Sequence, residues 1–295
     1  MRFTRTRALI VAGAMSLALA GCGSDDEGGG SDDVASNPKF EAGTTMEKIS
    51  KAGKITVGTK FDQPGFGLLG LEDEPEGFDV EVAKIIAGEL GIDDDAITWK
   101  ESPSDVREQL IEDGEVDLVA ATYTINDERK QRITFAGPYY VAGQQLMVKS
   151  DNDTIKAPED LKANPDTRVC SVTGSTPAEQ IKPYLADAKK QLTLFDVYDK
   201  CAAALKNGQT DVVTTDNVIL LGFVSESKGD FKLVGEQFTE EPYGIGIKKG
   251  DVAFCEFIND TLKKKEDAYN EAWADTAGEI EGTQAPELPE PAPCS

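Results

Sequence analysis

Phe78-Asp79-Val80-Glu81-Val82-Ala83-Lys84-Ile85-Ile86-Ala87-Gly88-Glu89-Leu90 sets Val82, Ile85, Ile86 and Leu90 on one face of a helix, and Gly91 stands where a left-handed residue would end it. Upstream, Ile55-Thr56-Val57-Gly58 is a short β-branched run and reads as a strand. Downstream, Ser104 can cap a second helix in which Val106 and Leu110 share a side and Gly114 is the stop. Val116-Asp117-Leu118-Val119-Ala120-Ala121 then returns as a buried strand. The second half repeats the rhythm. Arg168–Val172 is a strand, Thr176-Pro177-Ala178-Glu179 is a capping box with proline at the helix start, Cys201–Leu205 continues a helix, and Asp211–Thr215 is a strand. This alternation predicts two α/β units with largely parallel sheets.

The two ends read differently. Arg2, Arg5 and Arg7 precede the apolar run Ala8–Ala18, and Leu19-Ala20-Gly21-Cys22 follows. A basic start with a short apolar stretch is an export signal, too short to remain as a spanning helix. Small residues before a cysteine resemble the bacterial lipoprotein box, which implies cleavage after residue 21 and a lipid on Cys22. Residues 22–43 are rich in Gly, Ser and Asp and read as a flexible tether. Residues 281–295 carry Pro286, Pro289, Pro291 and Pro293 and read as an extended tail. The expected folded body is therefore about 44–280.

Removing residues 1–21 takes away three arginines and no acid, leaving 27 basic against 54 acidic residues and a net charge of −27. Nucleic acid is an improbable partner for such a chain, because its phosphates are held through clustered Lys and Arg. Histidine is absent from the whole sequence, which excludes Ser-His-Asp and Cys-His nucleophile systems and histidine metal sites. No metal site and no cofactor is expected. Cys170, Cys201, Cys255 and Cys294 form no C-x-x-C pair. In an exported chain they imply two disulfides, with three connectivities open.

Four segments in order resemble the polar amino acid family (family 3) of ABC-transporter substrate-binding proteins. They are Gly77–Ala83, Val116–Arg129, Phe135-Ala136-Gly137-Pro138-Tyr139-Tyr140 and Gly174-Ser175-Thr176, followed by Asp216 and the strand Tyr243–Ile247. Gly58-Thr59-Lys60-Phe61-Asp62-Gln63-Pro64-Gly65 looks like the actinobacterial glutamate-binding lipoproteins in particular. The resemblance implies a two-lobed α/β fold of the type II periplasmic-binding-protein kind, with ligand in the inter-lobe cleft and hinge closure around it. Lobe 1 would hold 44–142 and 241–280, and lobe 2 would hold 143–240. On that division Cys170–Cys201 and Cys255–Cys294 are the favoured pairs, each within one lobe.

An amino acid buried in such a cleft needs a partner for each charge. By resemblance, Arg129 takes the α-carboxylate, with Thr124 as a further donor and Thr176 opening a helix toward the same anion. Asp216 receives the α-ammonium beside Thr122. Lys60 and Arg107 stand at the distal end, with Ser104 as a hydroxyl donor. Glutamine-binding relatives resemble this chain around Lys60 but carry an acid there, so lysine favours a carboxylate. Phe61 and Phe66 are candidate walls. The plainer alternatives are a solvated helix charge for Arg129 and Arg107, an edge charge for Lys60, a turn or N-cap for Asp216, and core positions for the two phenylalanines.

The expected function is an extracytoplasmic, lipid-anchored receptor for L-glutamate and L-aspartate. It would act as a monomer and deliver its ligand to a membrane permease with a separate ATPase, since the chain has no P-loop. Competing readings are a glutamine or asparagine receptor, an amino-acid sensor, and an exported dehydratase or transglycosylase using Glu72, Glu74 or Glu76.

Overall fold

The computed structural model describes residues 34–71 and 73–295. The expected signal peptide, Cys22, most of the tether and Glu72 lie outside these residues.

The helix at the centre of the sequence pattern runs Phe78–Glu89, with Val82, Ala83, Ile86 and Ala87 buried. Gly77 precedes it at φ 126°, where a Cβ would stand 2.5 Å from the carbonyl carbon of Phe66, so only glycine fits. Gly91 follows at φ 76° and closes the C-terminus. The helix packs on a five-stranded sheet in the order Ile97–Glu101, Ile55–Thr59, Leu118–Val119, Glu241–Ile247, Thr134–Ala142. A second five-stranded sheet has the order Leu192–Phe195, Val169–Val172, Val212–Asp216, Gln144–Lys149, Phe231–Val234.

Both sheets are mixed, where the alternation pattern predicted largely parallel ones. In each, three strands pair in parallel and the other two join antiparallel. The antiparallel strands are those flanking the two passages between sheets, at 142–144 and 234–241. There the chain has no crossover helix, and antiparallel pairing needs none. The two passages lie side by side: Gln144 donates its N–H to Thr239 Oγ1 at 3.0 Å, and a Cβ on Gly143 would meet the Thr239 carbonyl at 2.7 Å.

Local corrections have clear causes. Ser104 caps nothing; the helix begins at Arg107 with Val106 at its N-cap, and the Ser104 hydroxyl accepts from Lys60 instead. Ser175, not Thr176, caps the helix Thr176–Gln180, because its Oγ accepts from the Ala178 N–H. Of the run Val116–Ala121 only Leu118–Val119 pairs as strand. Folded structure starts before residue 44: the Ala35 N–H reaches the Gly88 carbonyl, and Phe40 packs edge-on against Phe257 at 5.5 Å. One apolar ring and one backbone hydrogen bond suffice to fasten a segment whose composition reads as tether.

The proline-rich tail is extended, as its composition predicts, but it is also packed. Leu288 lies against the first core, and Ala292 N–H bonds the Gly137 carbonyl at 2.8 Å. Cys255 and Cys294 are bonded, with Cα atoms 5.9 Å apart, and Cys170 and Cys201 likewise at 5.6 Å. The 39-residue separation of the Cys255–Cys294 pair makes a testable point. Replacing both cysteines by serine should lower stability by about 2–4 kcal/mol. It should also let a glutamate-specific protease release the tail at Glu287 or Glu290, read by mass spectrometry; an intact tail would show that packing alone holds it.

Candidate functional site

Three cations are buried near the close approach of Gly174 to Asp105. Lys60, Arg107 and Arg129 are only 3 %, 2 % and 6 % exposed. Lys60 follows the first strand, and its Nζ donates to Ser104 Oγ at 2.8 Å. Arg107 opens its helix, donates from Nη1 to the Ala121 carbonyl at 2.8 Å, and lies 3.8 Å over the Tyr123 ring. Arg129, in the helix Asp127–Arg132, has its guanidinium carbon 5.2 Å from the centre of the same ring. Tyr123 thus offers its electron-rich face to both guanidinium groups.

Their pairing is unequal. Arg129 forms an ion pair through Nε with Glu108 at 3.1 Å, and donates to the carbonyls of Thr124 at 2.7 Å and Gly174 at 2.9 Å. Its two terminal nitrogens each donate one hydrogen bond, leaving a second N–H on each for a carboxylate. Lys60 and Arg107 form no ion pair among the described residues, and the buried Arg107 Nε has no partner there. Burial, reinforced by the charge of Arg107, pushes the Lys60 ammonium down to about 7. Burial and then Arg107 lower Arg129 to about 10.

Acceptors stand on the other side. Asp216 ends the strand Val212–Asp216 and occupies the N-cap position of the helix Asn217–Glu226, yet its side chain caps nothing. Its Oδ2 accepts from the Tyr243 hydroxyl at 2.6 Å, while the buried Oδ1 is free. Burial, with the nearby Glu241 adding to it, lifts this carboxyl to about 7, and Arg107 and Arg129 oppose the rise. Glu241 is also buried, with Oε2 unpartnered. A buried unpartnered acceptor beside buried donors is a site for a cation such as an ammonium.

Of the expected residues, Lys60, Ser104, Arg107, Arg129 and Asp216 therefore come together. Thr122 sits in the left-handed region at φ 43°, its hydroxyl between Gln63 Oε1 and the Ala121 carbonyl at 2.9 and 2.8 Å. Thr124 is buried beside Glu241. Thr176, relieved of capping by Ser175, keeps a buried hydroxyl with no partner. Phe66 is not a wall: it is fully buried in the first lobe's aromatic core, edge-on to Phe78, Tyr140, Tyr243 and Trp273. Phe61 is half-buried. Asp62, Glu108, Tyr123 and Glu241 escape sequence reasoning, because nothing near them in the chain marks their partners. The lobes touch here: a Cβ on Gly174 would lie 2.6 Å from Asp105 Cα.

A profile of the bacterial extracellular solute-binding proteins, family 3, matches residues 55–272. The glutamate-binding protein GluB of Corynebacterium glutamicum is 41% identical over 272 residues, covering 89% of this chain and 86% of its own. The ABC transporter glutamine-binding protein GlnH of Bacillus subtilis is 39% identical over 249 residues, covering 84% and 87%. Among solved structures, an ancestral arginine-binding protein bound to glutamine matches with a TM-score of 0.70 at 35% identity, covering 76% of this chain and 97% of that one. No helix among the described residues is long and apolar enough to cross a membrane.

A lysine held near 7 instead of 10.5 destabilises the empty fold. Between those values the unfolded chain binds more protons, so stability rises with pH there. The penalty is full below about pH 7 and gone above the unfolded value. Lys60→Met should therefore raise the thermal midpoint of ligand-free protein at pH 6, by at least ~2 °C, and by less at pH 10. Calorimetry with no gain at pH 6 would contradict this charge assignment.

Proposed function

The chain belongs to family 3 of the bacterial extracellular solute-binding proteins, and on that footing we propose that it is a receptor for L-glutamate, with L-aspartate as a second ligand. The ligand enters the cleft between lobe 1 (44–142 and 241–280, with the packed ends) and lobe 2 (143–240). Hinge closure buries it, and the closed protein delivers it to an ABC permease served by a separate ATPase. The chain performs no chemistry on its ligand and works as a monomer. It is held at the outer face of the cell membrane by a lipid on Cys22.

The observation that carries the glutamate reading is the pair of buried cations, Lys60 and Arg107, without a described acid to pair with. Arg129 and the free Thr176 hydroxyl hold the α-carboxylate. Asp216 receives the α-ammonium through its free oxygen, with Thr122 and Thr124 completing that end. The side-chain carboxylate then neutralises Lys60 and Arg107, with Ser104 beside it. A glutamine amide in the same place accepts a hydrogen bond but leaves both cations uncompensated, which costs several kcal/mol in a dry site. The likeness to a glutamine-binding protein and to a structure bound to glutamine keeps the amide as the second reading.

Two substitutions test the assignment by titration calorimetry. Arg129→Ala should weaken glutamate binding by roughly a hundredfold or more, as expected when one partner of a buried charge pair is lost. Affinity kept within about threefold would remove Arg129 from the site. Lys60→Asp should weaken glutamate and shift preference toward glutamine by at least about tenfold; an unchanged Glu/Gln ratio would remove Lys60 as the reader. In cells, Cys22→Ser should abolish incorporation of labelled fatty acid, and label retained on the variant would exclude Cys22 as the anchor.

A further inference from the structure

The helix Tyr198–Lys206 lacks a cap of its own. Val197 holds its N-cap position and offers no side-chain acceptor. In some other helices the N-cap residue does the work itself: Thr44 caps Thr45–Ala52, and Asp251 caps Val252–Lys264. At Tyr198 the acceptor comes from across the cleft. Asp62 Oδ2, in lobe 1, accepts the Tyr198 backbone N–H of lobe 2 at 2.6 Å. Both residues are buried, Asp62 at 7 % and Tyr198 at 2 % exposure.

We propose that Asp62 is a closure latch: it caps a lobe 2 helix only when the lobes meet, and so turns ligand-driven closure into part of the binding free energy. The inference rests on the solute-receptor reading but assigns a residue and a contact that touch no part of the ligand.

The physical case has three links. First, a carboxylate on the free N–H groups of a nine-residue helix gains from both the hydrogen bond and the helix dipole. Second, the contact is rigid on both sides. Cys201 in the helix is bonded to Cys170 on the neighbouring strand. Asp62 lies in the short strand Asp62–Gln63, which pairs with Gly67–Leu69. Third, Asp62 stands two residues from Lys60, so a ligand that draws on Lys60 orders the segment carrying the latch. When the lobes part, the carboxylate and the helix N–H both return to water and the gain disappears. A close approach nearby, Gly222 against the Pro64 carbonyl, marks the same face: a Cβ there would sit 2.6 Å from that oxygen.

The test removes the acceptor from across the cleft. Asp62→Ala should weaken glutamate binding roughly tenfold, the usual worth of a charged cap. Asp62→Asn, which keeps an acceptor, should lose less. A loss under about twofold for Asp62→Ala would overturn the latch. Amide exchange at Tyr198 separates this proposal from the ligand assignment. If the parent protein binds glutamine but no glutamate, the glutamate reading falls, while exchange at Tyr198 in the glutamine-saturated protein at least about tenfold faster in Asp62→Ala still supports the latch. An exchange rate in the ligand-saturated protein unchanged by Asp62→Ala overturns it whichever amino acid is bound.

Discussion

Burying Lys60 and Arg107 with no carboxylate in ion-pair contact among the described residues is the constraint on which the rest of this structure depends. Lys60, Arg107 and Arg129 are withdrawn from water, and only Arg129 has a described carboxylate, Glu108, in ion-pair contact. Isolated ions in a protein interior cost several kcal/mol each. Tyr123, lying under Arg107 and near Arg129, softens that cost, as do the carbonyls of Ala121, Thr124 and Gly174. None of these supplies a full negative charge. On the proposed glutamate reading, the empty fold carries a destabilisation that an anionic ligand relieves, and that relief shifts the hinge toward the closed state. It also answers the problem of an anion approaching a strongly acidic protein: the attraction is local and buried, where screening by the surface charge is weakest.

The frame around the cations has to resist their repulsion. Much of that task falls to Asp79, fully buried in the first turn of the Phe78–Glu89 helix. It accepts from the Tyr139 hydroxyl and, at 2.7 Å, from the Thr122 N–H. Thr122 is β-branched and sits at φ 43°, a conformation that costs of order 1–3 kcal/mol. The helix, the turn after the strand Leu118–Val119 and the strand Thr134–Ala142 therefore meet at one carboxylate. Burial lifts that carboxyl to about 7, against the pull of its two donors. The sharp turn at Thr122 is what brings Ala121, the acceptor of Arg107, and Thr124, the acceptor of Arg129, to the same side.

Much of this was written locally in the chain. The Phe78–Glu89 helix follows from a 3.6-residue apolar period, and its two flanking glycines both take positive φ. Strand positions at Ile55, Val169 and Val212 follow from β-branched runs. Direction within the sheets did not follow, because it depends on which strands bridge the lobes. Capping shifted by one residue at Ser175 because both Ser and Thr are competent caps, and the backbone decides between them. Within the site, Lys60, Arg107, Arg129 and Asp216 were legible only through an ordered set of motifs. Asp62 was not, since its partner Tyr198 lies 136 residues away. Glu108 and Glu241 read as ordinary acids in a chain full of them.

The most direct test of the central claim is titration calorimetry on the chain from Gly23 onward, unfolded and refolded to strip carried-over ligand, against glutamate, aspartate, glutamine, asparagine, lysine and arginine. Two buried cations awaiting a carboxylate predict micromolar or tighter binding of glutamate, with the amides at least about tenfold weaker. Tighter binding of glutamine or asparagine would contradict the claim that uncompensated positive charge at Lys60 and Arg107 selects the ligand.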